Sequence, residues 1–150
     1  MSISSSPEDT MQMAIELARE LRPGDVLFLE GDLAAGKTVF VRGLVRALGG
    51  DPREVDSPTF VILQSYPCVG PIRLVHHLDL YRLHDDSLEA VGLEEVLAGE
   101  SCVTAVEWPD ERVQLLMAGD QRLFRIKISG IEGNERIIEI KHSPQELPSD

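Results

Sequence analysis

The sequence predicts a three-layer α/β domain with a mainly parallel central sheet, closed by a C-terminal antiparallel hairpin. Three observations predict it. Short, continuously apolar runs at 26–30 and 102–106 read as strands covered on both faces, the habit of parallel sheets. Segments of helical periodicity fall between the strands, so helices have two faces of a sheet to cover. Near the C-terminus, 122–128 and 136–140 alternate apolar and other residues about a turn-like 130–134, which reads as a hairpin. A chain of 150 residues suits one domain. We assign 1–142 to that domain and 143–150 to a flexible tail.

The elements follow in order. Ser6 is placed to cap a helix, Pro7 fits its first turn, and Asp9 completes a capping-box-like pattern. Ala14, Leu17, Ala18 and Leu21 then keep helical spacing, and Pro23-Gly24 ends the run. The strand at 26–30 leads into a loop at 31–36. A helix at 38–48 carries Phe40, Leu44, Ala47 and Leu48 on one side and closes at Gly49-Gly50. Strands are expected at 60–65 and 72–78, with 66–71 turning between them on two prolines and a glycine. Leu88, Val91, Val96 and Leu97 suit one or two short helices. The strand at 102–106 follows, and Pro109 starts another short helix.

Composition narrows the function. Hydrophobic content of 43% is ordinary for a folded domain. The formal charge of −12 opposes phosphate backbones. Because nucleic-acid affinity depends mainly on neutralising phosphates with Lys and Arg, tight direct binding of nucleic acid is not expected. A basic protein partner suits such a surface, although the charge can also serve solubility alone. Cys68 and Cys102 have neither zinc nor redox spacing. No disulfide framework is expected, and Cys102 reads as a small core residue. The N-terminal stretch has no signal-peptide pattern, and no apolar run is long enough to span a bilayer. These features read as a cytoplasmic protein.

The chemistry is concentrated at Gly31-Asp32-Leu33-Ala34-Ala35-Gly36-Lys37-Thr38, which satisfies G-x-x-x-x-G-K-[ST] at every fixed position. A strand enters this P-loop and a helix leaves it, as the chemistry requires. Glycines let backbone N–H groups wrap a phosphate, and the helix N-terminus adds partial positive charge. Lys37 would reach the β- and γ-phosphates of ATP, and Thr38 would offer its hydroxyl to Mg²⁺. With only three lysines in the chain, chance placement at the motif position is uncommon. As a loop residue, Lys37 is expected at the surface.

A P-loop site also needs an acid at the end of a neighbouring strand. Asp79 follows the 72–78 run and Glu107 follows the 102–106 run. Either is a candidate for Mg²⁺ or for ordering the attacking water, and a solvated strand-end acid is the plainer alternative. His76, His77 and Asp79 raise the thought of a transition-metal site. In a strand, however, His77 and Asp79 share a face that His76 does not. Thr59, after Ser57-Pro58, is either a γ-phosphate sensor or a turn residue.

Four blocks in order, GDLAAGKT, SPTF at 57–60, HLDLYRL at 77–83 and VEWPD at 106–110, resemble the TsaE (YjeE) family of small bacterial P-loop ATPases over nearly the whole chain. The resemblance implies ATP hydrolysis supporting threonylcarbamoylation of adenosine 37 in tRNA (t6A), together with TsaD and TsaB. It implies that Lys37 and the backbone of Leu33, Ala34, Ala35, Gly36 and Thr38 hold the phosphates. It further implies Thr38 and Glu107 as Mg²⁺ ligands and Asp79 as a catalytic or water-organising acid, with Lys37 counted among the catalytic groups. Thr59 would lie in a switch-like loop, Trp108 beside the site, Thr10 near the nucleotide and Arg136 near the base. Ala34 departs from the usual family glycine, and Val39 from a frequent second threonine.

Other readings of the same loop are a small-molecule kinase, a GTPase and an inert nucleotide-binding scaffold. No Arg-rich lid segment favours the kinase. The guanine-reading N-K-x-D pattern is absent, since the one asparagine, Asn134, precedes Glu135. Asp79 and Glu107 speak against the scaffold. The charge gives a first prediction. The isolated chain is expected to bind tRNA only weakly at physiological salt, as measured by filter binding. A sub-micromolar complex would reveal a basic patch hidden by the net charge.

Overall fold

The computed structural model describes residues 2–31, 36–55, 63–80, 92–109, 111–117, 121–131 and 133–143. In chain order these form β1 (Ser2–Ser4), α1 (Pro7–Ala18), β2 (Val26–Glu30), α2 (Lys37–Ala47), a single 3-10 turn (Pro52–Glu54), β3 (Leu63–Pro67) and β4 (Leu74–Asp79). Then come α3 (Leu93–Leu97), β5 (Cys102–Glu107), α4 (Glu111–Leu116), β6 (Leu123–Gly130) and β7 (Arg136–Ser143). The described strands make one seven-stranded sheet in the order β1-β7-β6-β2-β5-β4-β3.

The four inner strands β6, β2, β5 and β4 are mutually parallel. The remaining pairings, β1 with β7, β7 with β6, and β3 with β4, are antiparallel. The sheet is thus parallel at its centre and antiparallel at both flanks, more mixed than the expected mainly parallel sheet. The C-terminal hairpin is present as β6 and β7, and β7 runs to Ser143, one residue into the expected tail. The short β1 was not expected. Its Ser2, Ile3 and Ser4 carry little apolar signal, and its pairing with β7 comes from a neighbour distant in sequence.

Side-chain alternation divides the core into two layers. Leu27 and Leu29 of β2, with Val103 and Ala105 of β5, pack under α1 and α2. Val26, Phe28 and Val106 point the other way, to Leu93, Leu97 and Val113 of α3 and α4. Both faces of the central strands are therefore covered, which explains why β2 and β5 read as unbroken apolar runs.

Local chemistry sets several boundaries. Ser6 caps α1 by accepting from the Asp9 N–H at 3.1 Å, while the Asp9 carboxylate accepts from the Ser5 N–H at 3.0 Å. Helix α1 stops at Ala18, short of the expected Pro23-Gly24. Strand β3 extends through Tyr66 and Pro67, which were expected in the turn. Proline is tolerated because β3 is the sheet edge, where its missing donor costs no ladder bond. Residues 60–62, Leu88 and Val91, also expected in strand or helix, lie outside the described residues. At the opposite end of the sheet from the P-loop, buried Asp25 accepts from Arg122 Nε at 2.9 Å and Nη2 at 2.6 Å. That hydrogen bond pushes the Arg122 guanidinium further up from its ordinary value. Both cysteines are free, and burial pushes both thiols up. Among the described residues, no helix is long and apolar enough to cross a membrane.

The two helices over the P-loop face touch at Gly43. A Cβ there would lie 2.5 Å from the Met11 carbonyl oxygen and 2.7 Å from the Ala14 Cβ. Alanine is otherwise favoured over glycine inside a helix by about 1 kcal/mol. Here the overlap is with the backbone of α1, which cannot rotate away. Gly43→Ala is therefore expected to destabilise the domain by about 1–3 kcal/mol, lowering Tm by roughly 2–4 °C per kcal/mol in calorimetry. A raised Tm would show that the helices can separate at no cost.

Candidate functional site

The sheet order locates the site. From β2 the chain proceeds through α2 towards β3 and β4 on one side. From β5 it proceeds through α4 to β6 on the other. Adjacent strands β2 and β5 therefore send their connections in opposite directions, and the crevice beyond their carboxyl ends is where open α/β sheets bind ligands. Gly31 leaves β2 at that crevice and Glu107 ends β5 there, directly opposite Leu29 on one side and Asp79 on the other.

Gly36 is the N-cap of α2, with φ 104° and no side-chain cap. Glycine adopts this left-handed backbone without penalty, so the loop turns straight into the helix. Lys37 is the first residue of α2 and is only 4% exposed. This corrects the expectation of a surface-loop lysine: helix geometry turns the side chain back toward Gly31. Its Nζ donates to the Gly31 carbonyl at 2.8 Å, lies 3.9 Å from Glu107 Oε1 and sits 3.8 Å from the centroid of the Trp108 ring. A buried ammonium needs such partners, because desolvation without them costs several kcal/mol. Thr38 follows at the second helical position and is partly exposed at the mouth.

Trp108 is the one non-glycine residue with positive φ among those described, at 57°. That conformation is strained for a bulky residue by about 1–3 kcal/mol. It brings the strand-end chain round so that the indole lies over the Lys37 ammonium. Cation–π attraction there offsets part of the strain.

Glu107 is itself buried, at 4% exposure. Its Oε2 accepts from His77 Nε2 at 2.5 Å. His77 Nδ1 lies 3.2 Å from the Tyr66 hydroxyl, which donates its proton to Gln64 Oε1. Gln64, Tyr66 and His77 were not assigned to the site from sequence. The usable signal was period two: Val75, His77 and Asp79 alternate on one face of β4. His76 faces the other way and meets Ser65 Oγ at 2.7 Å. Burial lowers the His76 pKa. Among the described residues no cluster of three His, Cys, Asp or Glu side chains is arranged for a metal ion.

A second opening adjoins the P-loop. A cavity of about 150 Å³ is lined by Ser6, Pro7, Thr10, Gly36, Val39, Asn134 and Arg136. The structure thus brings Thr10 and Arg136, far apart in sequence, to the glycine that starts α2. Thr10 is buried, and its hydroxyl lies 2.7 Å from Ser4 Oγ, which donates to the Ser6 carbonyl at 2.8 Å. Thr10 is therefore the donor of that pair and keeps its lone pairs. Arg136 Nη1 donates to the Gly133 and Glu135 carbonyls at 2.8 and 2.9 Å. Leu33, Ala34, Ala35 and Thr59 lie outside the described residues. Asp79 ends β4 beside Glu107.

A central strand running into a glycine-capped helix, with a lysine at its start and acids ending the adjacent strands, defines a P-loop-type α/β protein. The chain belongs to the TsaE family: the family model "Threonylcarbamoyl adenosine biosynthesis protein TsaE" matches residues 4–138. The tRNA threonylcarbamoyladenosine biosynthesis protein TsaE of Bacillus subtilis (strain 168) is 42% identical over 125 residues, covering 77% of this chain and 76% of the relative. The protein of the same name from Rickettsia conorii is 33% identical over 141 residues, covering 93% and 77%. The crystal structure of Bacillus subtilis YdiB superposes with a TM-score of 0.66 at 31% identity, over 91% of this chain and 80% of that one.

Trp108 is the single tryptophan, so emission excited beyond the tyrosine absorption band reports its surroundings alone. Lys37→Ala removes the cation above the ring and is expected to change the emission intensity or maximum of the ligand-free protein. Identical spectra from two folded proteins would place the ammonium away from the indole in solution.

Proposed function

We propose that the chain binds Mg-ATP in the crevice between β2 and β5 and hydrolyses it in support of t6A formation on tRNA, working with TsaD and TsaB in the cytoplasm. The single observation that carries the reading is the buried Lys37 ammonium, at a helix N-terminus and 3.9 Å from the strand-end carboxylate of Glu107. The phosphates would lie on the backbone of Leu33 to Thr38, with Lys37 exchanging the Gly31 carbonyl and indole for phosphate oxygens. The cavity bordered by Thr10 and Arg136 would take the nucleoside end.

The donor set fits Mg²⁺. A hydroxyl (Thr38) and carboxylates (Glu107, Asp79) are hard oxygen ligands, and this ion keeps waters and phosphate oxygens rather than requiring a full protein cage. Thr38 and Glu107 would hold it, and Asp79 would orient the attacking water. When bound there, the ion would supply positive charge against the phosphates. Positioning and electrostatics then account for most of the catalysis, since phosphoryl transfer needs little covalent help from the protein.

The test is phosphate release from ATP with and without the TsaD–TsaB complex. Stimulation by the complex supports the assigned role, and transfer to a small-molecule acceptor in place of water would make the protein a kinase. Lys37→Ala is expected to abolish productive ATP binding. Glu107→Ala and Asp79→Ala should leave binding largely in place while lowering hydrolysis about a hundredfold, or roughly 2.7 kcal/mol of barrier. Equal losses of binding and hydrolysis would make the acids structural.

A further inference from the structure

His77 is a buried polar group that the proposed Mg-ATP site does not use. His77 is wholly buried, on the β4 face that looks to α2, beside the carboxylate proposed to meet Mg²⁺. Its two ring nitrogens have different neighbours: Nε2 meets Glu107 Oε2 at 2.5 Å, and Nδ1 meets the Tyr66 hydroxyl at 3.2 Å. Glu107 in turn divides its oxygens, with Oε2 on His77 and Oε1 towards Lys37 at 3.9 Å.

We propose that His77 is a positioning residue for Glu107: packed against the Tyr66 hydroxyl, it donates its Nε2 proton to Oε2 and leaves Oε1 facing the phosphate mouth. The proposal rests on the Mg-ATP reading of the site. A carboxylate only accepts, so the proton between the two must sit on Nε2. A glutamate at a strand end otherwise has free rotation about several bonds. A buried hydrogen bond to one oxygen removes that freedom and aims the other. Outer partners of this kind orient metal-binding carboxylates, and their loss typically costs about ten- to a hundredfold in metal affinity or activity. The register supports the arrangement. His77 pairs with Ala105, two residues before Glu107 on the same face of β5, and with Gln64 on β3. Tyr66, two residues from Gln64, closes the ring from behind. The chain Gln64–Tyr66–His77–Glu107 thus runs from the edge strand into the site.

Three variants test this: His77→Leu, which removes the donor; His77→Gln, whose amide nitrogen reaches about as far as Nε2; and Tyr66→Phe, which removes only the hydroxyl. Each is first checked for folding by thermal melting without ligand. Three quantities are then read: the Mg²⁺ concentration giving half the change in Trp108 emission expected when Lys37 leaves the indole for the phosphates of ATP, and kcat and KM for ATP. H77L is expected to need about ten- to a hundredfold more Mg²⁺ and to lose kcat by a similar factor, with KM for ATP changed less than about threefold. H77Q should recover most of the loss, and Y66F should show the same change at a smaller size without endangering the core. A merely structural histidine would lower the melting temperature without moving the Mg²⁺ requirement, and that outcome overturns the proposal. So does a folded H77Q as impaired as H77L. Wild-type protein that neither binds nor hydrolyses Mg-ATP would overturn both readings, whereas a competent wild type matched by H77L overturns only this one.

Discussion

The buried ammonium of Lys37 is the constraint on which the carboxyl edge of the sheet depends. A lysine is rarely sequestered, because its charge loses water that the interior does not replace. Here the replacement comes from three directions: the Gly31 carbonyl leaving β2, the Glu107 carboxylate ending β5, and the Trp108 ring beyond it. Two of these partners, Glu107 and Trp108, are available only if β5 lies next to β2 and ends in register with it. The pairing of Leu29 with Glu107 meets that requirement. Fold and site are therefore one condition: shifting β5 by one residue would turn Glu107 to the opposite face and leave the ammonium without its carboxylate.

The same parity connects the outlying parts. Glu107, Ala105 and Val103 share the face under α1 and α2, as do Asp79, His77 and Val75 on the next strand. The apolar members of these rows make the core, and the polar members appear only where the strands reach the crevice. Strain collects at the same place. Gly36 and Trp108, on either side of Lys37, both have left-handed backbone, the first without cost and the second against preference. A bulky residue held so is over-determined by its surroundings, here by the cation beneath its ring.

Parts of the fold legible in sequence were those governed by local rules. The cap at Ser6, the apolar run of β2, helix α2 with its glycine ends, and the hairpin of β6 and β7 each depend on neighbours within a few residues. The errors fall where distant partners decide. Strand β1 exists because β7 offers an open edge, and β3 continues through Tyr66 and Pro67 because β4 pairs with it. The antiparallel flanks follow from those two edges, which a pattern of strands and helices does not specify. The site divides in the same way. Lys37, Thr38, Asp79, Glu107 and Trp108 stood out because motif or strand-end position marks them. Gln64 and Tyr66 did not, and His77 drew notice only as a transition-metal candidate, because their significance lies in cross-strand register.

By itself the sequence determined the P-loop with its strand and helix, the two acids at strand ends, and membership of a family recognisable from four ordered blocks. Those features are contiguous, and their chemistry demands particular residues at particular spacings. Tertiary structure alone decided that Lys37 is buried rather than exposed, that Glu107 shares its two oxygens between a lysine and a histidine, and that Thr10 and Arg136 border one cavity with Gly36. The physical reason is that burial and hydrogen-bond partnership belong to the packing of several strands and helices at once. No stretch of the chain encodes them until the sheet order brings its carboxyl ends together.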